Sequence, residues 1–346
     1  MTHKHVLAIE TSCDDTSVAI VREDGLVLRC LSANQDLAHQ PFGGVVPEIA
    51  SRNHTLQILP LLEELFKKTR FTWERLDGIA VTSRPGLIGS LLVGVVTAKT
   101  LALIHNKPIL GINHLEAHLL APFLYDERHV RFEGLDFPFL ALAISGGHTQ
   151  LCLVHRLGCY EVIGRTLDDA AGEAFDKFAK HLGMGFPGGA LVDSVAYSGD
   201  RRAFRFPRTM IKEDGFNYSF SGLKSAAIRL IDGLPEDERA SRRPDLCASF
   251  REAVVESLMA RLDKAAKHYR MERIVLTGGV SANSRLREVA SDWAQAQGRK
   301  LFIPPVRYCT DNAAMVGYAG ILHLKAGDVQ DQSLAAQAHN FPKDFI

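Results

Sequence analysis

Neither sign of charge prevails in this sequence of 346 residues: 40 lysines and arginines stand against 40 aspartates and glutamates. That excludes a general electrostatic pull on nucleic acid, so any such contact must come from a local patch or from a partner. Cysteine is sparse and scattered, at Cys13, Cys30, Cys152, Cys159, Cys247 and Cys309, with no CxxC pair. A disulfide framework is excluded, and reduced thiols in a cytoplasmic protein are expected. The longest apolar stretch, Leu87 to His105, is broken by Gly89, Ser90, Gly94, Thr97, Lys99 and Thr100. It suits a buried helix better than a membrane span, and no membrane association is expected. The opening Met-Thr-His-Lys-His runs straight into a strand, so no signal peptide is expected. Low-complexity linkers and a Ser/His/Asp nucleophile constellation are also missing.

What is present is a repeated pattern. A chain of this length is too long for one ordinary core, so two lobes are expected. Apolar runs at His5 to Glu10, Ser17 to Val21 and Leu26 to Leu31 read as strands, with Asp24-Gly25 as a hairpin turn. Pro47 suits the first turn of a helix whose apolar positions recur to Phe66. A strand (Gly78 to Thr82), the Pro85-Gly86 loop, a small-residue helix, a strand (Pro108 to Ile112) and a helix near His114 follow. A second cycle has strands at Phe137 to Ser145, Gln150 to His155 and Tyr160 to Arg165, and a helix from about Leu167 to Leu182. After a long irregular stretch come a helix (Ala248 to Tyr269), a strand (Arg273 to Leu276), a helix from Asn283, a strand (Lys300 to Ile303) and a last helix after Asp311.

Three strands and then alternating helices and strands, twice over, is the plan of a duplicated actin-like ATPase fold of the α/β class. Each half opens with a strand, a polar turn and a returning strand. The turns are Thr11-Ser12-Cys13-Asp14-Asp15-Thr16 and Ser145-Gly146-Gly147-His148-Thr149. Tight polar turns aim backbone N–H groups at anions, so a nucleotide is expected in a central cleft between them. The first lobe is expected over 1–130, completed by about 311–346, and the second over 131–310. The crossing is expected at Asp126 to Asp136.

His114-Leu-Glu-Ala-His118 is the sharpest chemical signal. Positions four apart differ by only ~40° around a helix, so both imidazoles share one face, as a transition metal requires. Zinc proteases place Glu directly after the first His, whereas Glu116 lies ~200° round from His114. Two helix histidines alone would not make a site. A third ligand is needed, and Asp311 in Thr310-Asp311-Asn312 is the best distant candidate, although plain helix capping would also explain it.

Gly278-Gly279-Val-Ser-Ala-Asn283 follows a strand and opens a helix, where glycines let a ligand approach and the helix start supplies N–H donors. Asn283 offers a donor and an acceptor, suited to an adenine edge or a ribose hydroxyl. Gly188-Gly189 is a second such loop, with Asp176 before it and Asp193 after it. Either carboxylate suits a ribose hydroxyl; a solvated helix face explains either one alone. Arg201-Arg202-Ala-Phe204-Arg205-Phe206-Pro-Arg208 interleaves basic and aromatic residues, which reads equally as a nucleic-acid contact by charge and stacking or as a surface loop.

Taken together, these segments resemble one family closely: the tRNA adenosine threonylcarbamoyltransferases, also called Kae-type or glycoprotease-like. The matching segments are Ile-Glu-Thr-Ser-Cys-Asp-Asp-Thr (9–16), Gly-Gly-Val-Val-Pro-Glu (43–48), Ala-Ser-Arg-Asn-His (50–54), Pro-Gly-Leu (85–87) and His-Leu-Glu-Ala-His (114–118). They continue with Ser-Gly-Gly-His-Thr-Gln (145–150), Asp-Asp-Ala-Ala-Gly-Glu-Ala-Phe-Asp-Lys (168–177), Pro-Gly-Gly (187–189), Tyr218-Ser219-Phe220-Ser221-Gly222-Leu223-Lys224, Gly-Gly-Val-Ser-Ala-Asn (278–283) and Thr-Asp-Asn (310–312). They span nearly the whole chain in the family's order. Two departures stand out: Arg84 where the family has Gly, and Asp15 where it often has Glu.

The resemblance implies that His114, His118 and Asp311 hold one Fe(2+), or zinc. It implies that Ala143, Ile144, Ser145, Gly146, Gly147, Asp176, Gly189, Asp193 and Asn283 bind the adenine nucleotide or adenylate, with Mg(2+) as a further ion. Asp14 matches an acidic residue near the phosphates, with a catalytic role. The implied reaction carries the threonylcarbamoyl group from threonylcarbamoyl-AMP to N6 of the tRNA adenosine next to the anticodon, in tRNAs that read codons beginning with adenine. The implied partners are tRNA, a smaller inactive paralogous subunit and a P-loop ATPase subunit. The rivals are a metallopeptidase, which the placement of Glu116 opposes, and a non-catalytic actin-like ATPase module, which has no use for paired histidines.

Overall fold

The computed structural model describes residues 3–211 and 213–340. The first two residues of the opening stretch and 341–346 of the segment expected to complete the first lobe lie outside that set. The chain divides into two compact units: residues up to Leu135 with those from Arg307 on, and Asp136–Val306.

The first unit runs β1 (His5–Glu10), β2 (Thr16–Arg22), β3 (Val27–Ala33), α1 (Asp36–His39), α2 (Pro47–Thr69), β4 (Gly78–Arg84), α3 (Ile88–His105), β5 (Ile109–Asn113) and α4 (His114–Leu120). Its sheet has the order β3-β2-β1-β4-β5, antiparallel among the first three strands and parallel from β1 to β5. Side chains alternate across a strand. Leu7 and Ile9 of β1 therefore join the core under α2 and α3, while Val6 and Ala8 face the last helix of the chain, Ala313–Ala326.

The second unit repeats the plan. It contains β6 (Phe139–Ile144), β7 (Thr149–Arg156), β8 (Cys159–Arg165), α5 (Ala171–His181), α6 (Gly188–Val195), α7 (Ser221–Asp232), α8 (Glu236–Ser241), α9 (Arg243–His268), β9 (Arg273–Thr277), α10 (Ser284–Ala296) and β10 (Lys300–Phe302). The last helix, Ala313–Ala326, is α11 and belongs to the first unit. The second sheet, β8-β7-β6-β9-β10, matches the first strand for strand and direction for direction. Its core includes Phe178 and Phe250, stacked at 4.0 Å between ring centroids.

Several expectations need correction. The helix expected from Leu167 starts at Ala171, because Asp168 turns away to accept the N–H groups of Phe220 (2.7 Å) and Ser221 (3.2 Å) and the hydroxyls of Ser219 and Ser221. That carboxylate starts α7, so the stretch expected to be irregular carries α6, α7 and α8. Helix α9 begins at Arg243 rather than Ala248, with Pro244 in its first turn, where a missing N–H costs nothing. Helix α3 is buried on one face only: Leu91, Val95, Ala98 and Ala102 pack inward, while Ile88, Leu92, Val96, Leu103 and Ile104 are exposed. By length and composition alone it is apolar enough to cross a membrane.

Candidate metal centre and nucleotide loops

Strand β5 ends at Asn113, whose side-chain oxygen accepts the N–H groups of Leu115 (2.8 Å) and Glu116 (3.3 Å) and so starts α4. All seven residues of that helix are buried. His114 and His118 stand one turn apart, their rings 4.7 Å from centroid to centroid. Asp311, just ahead of α11, places Oδ1 3.0 Å from His118 Nε2 and 3.4 Å from His114 Nε2. One ligand atom from each residue lies within 4.8 Å of the others. The structure thus brings the two histidines together with an aspartate almost two hundred positions on.

Glu10, which sequence reasoning missed as a site residue, completes the arrangement. His114 Nδ1 lies 3.1 Å from Glu10 Oε2 and 3.1 Å from Ser12 Oγ. With Nδ1 engaged by that fully buried carboxylate, His114 aims Nε2 towards His118 and Asp311, where a bound metal ion would take its lone pair in place of a proton. Thr82 and the Ser12 N–H donate to Glu10 as well. A charge ending the apolar run Val-Leu-Ala-Ile was the available signal, since a buried carboxylate must have partners. Burial opposes ionisation of Glu10, but the charge and hydrogen bond of His114 and the Ser12 bond outweigh it and lower its pKa. Burial likewise opposes charge on Asp311 and His114. Their mutual attraction holds Asp311 well below the usual range and His114 well above it. The cluster therefore favours positive charge at its centre, and two imidazoles with one carboxylate suit Fe(2+) or Zn(2+).

Glu116 takes no part. Its Oε2 lies 3.0 Å from His323 Nε2 on α11, and His323 Nδ1 lies 2.8 Å from Asp328. Asp14 and Asp15 lie in the β1–β2 turn. Burial raises Asp14, aided by the charge of Asp311, and burial with Asp311, Asp14 and Asp36 pushes Asp15 up to about 8. Arg84 ends β4 in register with Asn113, and the Pro-Gly-Leu loop beyond it holds Ser12 through the Leu87 N–H, 2.8 Å from the Ser12 oxygen.

In the second unit, Ser145-Gly146-Gly147-His148 is the tight turn between β6 and β7, closed by the Ser145 N–H on the His148 oxygen at 2.7 Å. Both glycines are exposed, with open space where a Cβ would be. Ala143 and Ile144 are buried strand residues that carry the turn and offer a ligand no polar side chain. Two close approaches surround it. A Cβ on Gly172, in the first turn of α5, would lie 2.8 Å from Gly146 Cα. One on Gly278, whose φ is 85°, would lie 2.4 Å from the Ile144 oxygen. Only glycine permits both, and together they bring the α5 start and the Gly278 loop against the turn.

A single 3-10 turn, Gly279–Ala282, separates that loop from α10, which Asn283 caps through Oδ1 to the Leu286 N–H at 3.0 Å. The cap commits one lone pair of the Asn283 oxygen. Asp193 accepts the Ser284 N–H (2.9 Å) and an Arg251 N–H (2.8 Å), which fixes it beside Asn283. Asp176 accepts the N–H groups of Gly188 (2.8 Å) and Gly189 (3.3 Å), capping α6, the helix that carries Asp193. The expected nucleotide residues thus lie along one connected rim of this unit.

A sequence profile of the tRNA N6-adenosine threonylcarbamoyltransferases matches residues 27–318. The chain belongs to that family. It is 55% identical to the tRNA N6-adenosine threonylcarbamoyltransferase of Bdellovibrio bacteriovorus over 99% of both chains. It is 48% identical to the protein of that name from Anaeromyxobacter dehalogenans, over 93% of this chain and 95% of the relative. Among solved structures, HypF of T. kodakarensis matches with a TM-score of 0.60 at 13% identity, over 96% of this chain and 49% of HypF. That likeness, with the matching sheets, shows the duplicated actin-like ATPase fold.

Proposed function

We propose that the chain transfers the threonylcarbamoyl group from threonylcarbamoyl-AMP to N6 of the adenosine next to the anticodon, in tRNAs that read codons beginning with adenine. The end-to-end match to the family carries this reading, and the rim around the Ser145–His148 turn and the His114–His118–Asp311 cluster supports it. N6 forms a bond to the carbamoyl carbon, the bond from that carbon to the phosphate oxygen breaks, AMP leaves with the electron pair, and N6 loses a proton. The N–H groups of Gly146 and Gly147 and the start of α5 suit the phosphate. Asn283 and Asp193 suit the adenosine end. Asp14, raised by burial, is the group we assign to take up the N6 proton. His114, His118 and Asp311 would hold Fe(2+) or zinc, which when bound supplies Lewis acidity.

The exposed face of α3, with Leu56 and Leu59 of α2, is an apolar surface on the first unit. We assign it to protein partners, the smaller paralogous subunit and the P-loop ATPase, rather than to a membrane. The six cysteines are all thiols, in keeping with a cytoplasmic setting.

The test is transfer of labelled threonine from threonylcarbamoyl-AMP to unmodified tRNA by the metal-loaded chain with its partner subunits. Labelled tRNA is expected, with no peptide hydrolysis. Unlabelled tRNA together with cleavage of a protein substrate that His118→Ala abolishes would replace the transferase reading with the peptidase one.

A further inference from the structure

The segment that follows α6 turns Arg201, Arg202 and Arg205 to solvent, and none of the three meets a carboxylate among the described residues. The backbone beneath them is fixed. The Asp200 N–H donates to Asp245 (2.9 Å), and Ser249 Oγ donates to the Asp200 oxygen (3.1 Å) and accepts the Phe204 N–H (3.1 Å). Phe206 is buried in the core, and Phe204 carries the Arg242 guanidinium over its ring at 4.1 Å. The aromatics expected to stack on bases therefore serve as anchors, which corrects the stacking half of the reading made for this segment.

Arg242, over the Phe204 ring, thus joins the three exposed arginines of this segment, and the neighbouring acids have other partners of their own, although Glu252 also feels the charge of Arg201. Asp200 accepts the Arg202 N–H at 2.9 Å, Asp245 holds the loop backbone, Glu256 takes Arg208, and Glu252 takes Arg285 at 2.7 Å. Asp245 is also the nearest acid to Arg242, at a loose 3.8 Å. In a chain of zero net charge this is a local excess built on a rigid base. The same helix, α9, that anchors the loop through Asp245 and Ser249 also sends Arg251 to Asp193 and Glu252 to Arg285, two positions beyond Asn283. The arginine face adjoins the nucleotide rim of its own unit.

We propose that Arg201, Arg202, Arg205 and Arg242 form a docking surface for the phosphodiester backbone of the tRNA substrate. The choice of tRNA as occupant rests on the transferase reading; the anionic, phosphate-bearing character of the occupant rests on charge complementarity. Planar guanidinium forks suit phosphate oxygens, and backbone contacts position a nucleic acid without reading its sequence.

The test is the affinity of the full chain for an unmodified tRNA transcript across a salt series. Each phosphate contact contributes about 0.7–0.9 to the slope of log affinity against log salt. The triple variant R201Q/R202Q/R205Q is expected to bind roughly tenfold or more weakly near 0.1 M salt, with the slope flattened by about 2. The corresponding triple Arg→Lys variant should keep the slope, and adenylate affinity should not change in either. Wild-type protein that does not bind tRNA, or a triple Gln variant with affinity and slope unchanged, overturns the proposal. So does a triple Gln variant that binds tRNA normally but loses a protein partner, which would assign the face to an acidic protein. Failure of the transferase reading looks different: tRNA binds with the predicted salt dependence, yet no label is transferred.

Discussion

Glu116 sits between the two imidazoles of its own helix in sequence and yet bonds across to α11, its Oε2 3.0 Å from His323 Nε2. A residue at that position that faced the His114–His118–Asp311 cluster could serve a peptidase as general base. Facing His323 instead, it ties α4, which carries His114 and His118, to the helix that Asp311 precedes. Burial works against the His323 imidazolium, but Glu116 and then Asp328 outweigh it and hold its pKa up at about 9.

Breaking this largely buried pair by His323→Ala should cost about 2–4 kcal/mol, since it takes the cationic partner away from a buried carboxylate. Glu116→Gln, which keeps an acceptor for Nε2, should cost less. The sign of the pH effect follows from a raised folded-state pKa. The pair's contribution is complete below the unfolded value near 6.5 and is lost as pH rises through about 9. Denaturant unfolding of wild type and His323→Ala between pH 6 and 10 checks this; a gap that does not narrow with rising pH contradicts it.

Metal uptake should depend on His118 and, through His114, on Glu10. His118→Ala is expected to purify folded and without a transition metal. Glu10→Gln should retain the site with roughly 10–100-fold weaker affinity, because the partner that orients His114 loses its charge. Metal analysis of anaerobically purified protein and competition with a chelator measure both, and full occupancy in His118→Ala rules out the triad.

Asn283 caps α10 and in the proposed site also offers an amide donor, two duties that substitution separates. Asn283→Ala removes the α10 cap and the amide donor, so stability should fall by about 1 kcal/mol and adenylate binding by about 1–3 kcal/mol. Asn283→Asp keeps the capping oxygen and loses the donor, so binding should weaken with little change in stability. Calorimetry with a non-hydrolysable adenylate, paired with thermal unfolding, distinguishes the two. Equal affinity in all three proteins would remove Asn283 from the site.

Asp126 grips Arg307 at 2.8 and 2.6 Å and also accepts from Tyr308, joining the N-terminal part of the first unit to the segment where the chain re-enters it. Burial raises its carboxyl, but these bonds overcome that and lower it to about 2. A depressed carboxylate stabilises above its unfolded pKa and loses that contribution as pH falls through about 2. Asp126→Asn should cost about 1–2 kcal/mol at neutral pH, discounted for the partly exposed Arg307. The difference from wild type should vanish in acid unfolding near pH 2.

The sequence alone determined what is local and periodic. Alternating apolar runs set the strands, the repeated order of elements set the duplicated sheet plan, and the spacing of His114 and His118 set two imidazoles on one helical face. Each rests on neighbours within a few residues, where backbone geometry fixes direction. Only the tertiary structure decided relationships that no local period encodes. Asp311 meets His118 from 193 positions away, and Glu10 meets His114 from 104 away. Asp168 and Asp176 start α7 and α6 from other segments, which is why the stretch between α5 and α9 reads as irregular. Phe204 and Phe206 look like stacking residues beside arginines, and α3 looks wholly buried. Burial is a property of what packs against a side chain, and that packing is set by the fold rather than by the side chain's neighbours in sequence.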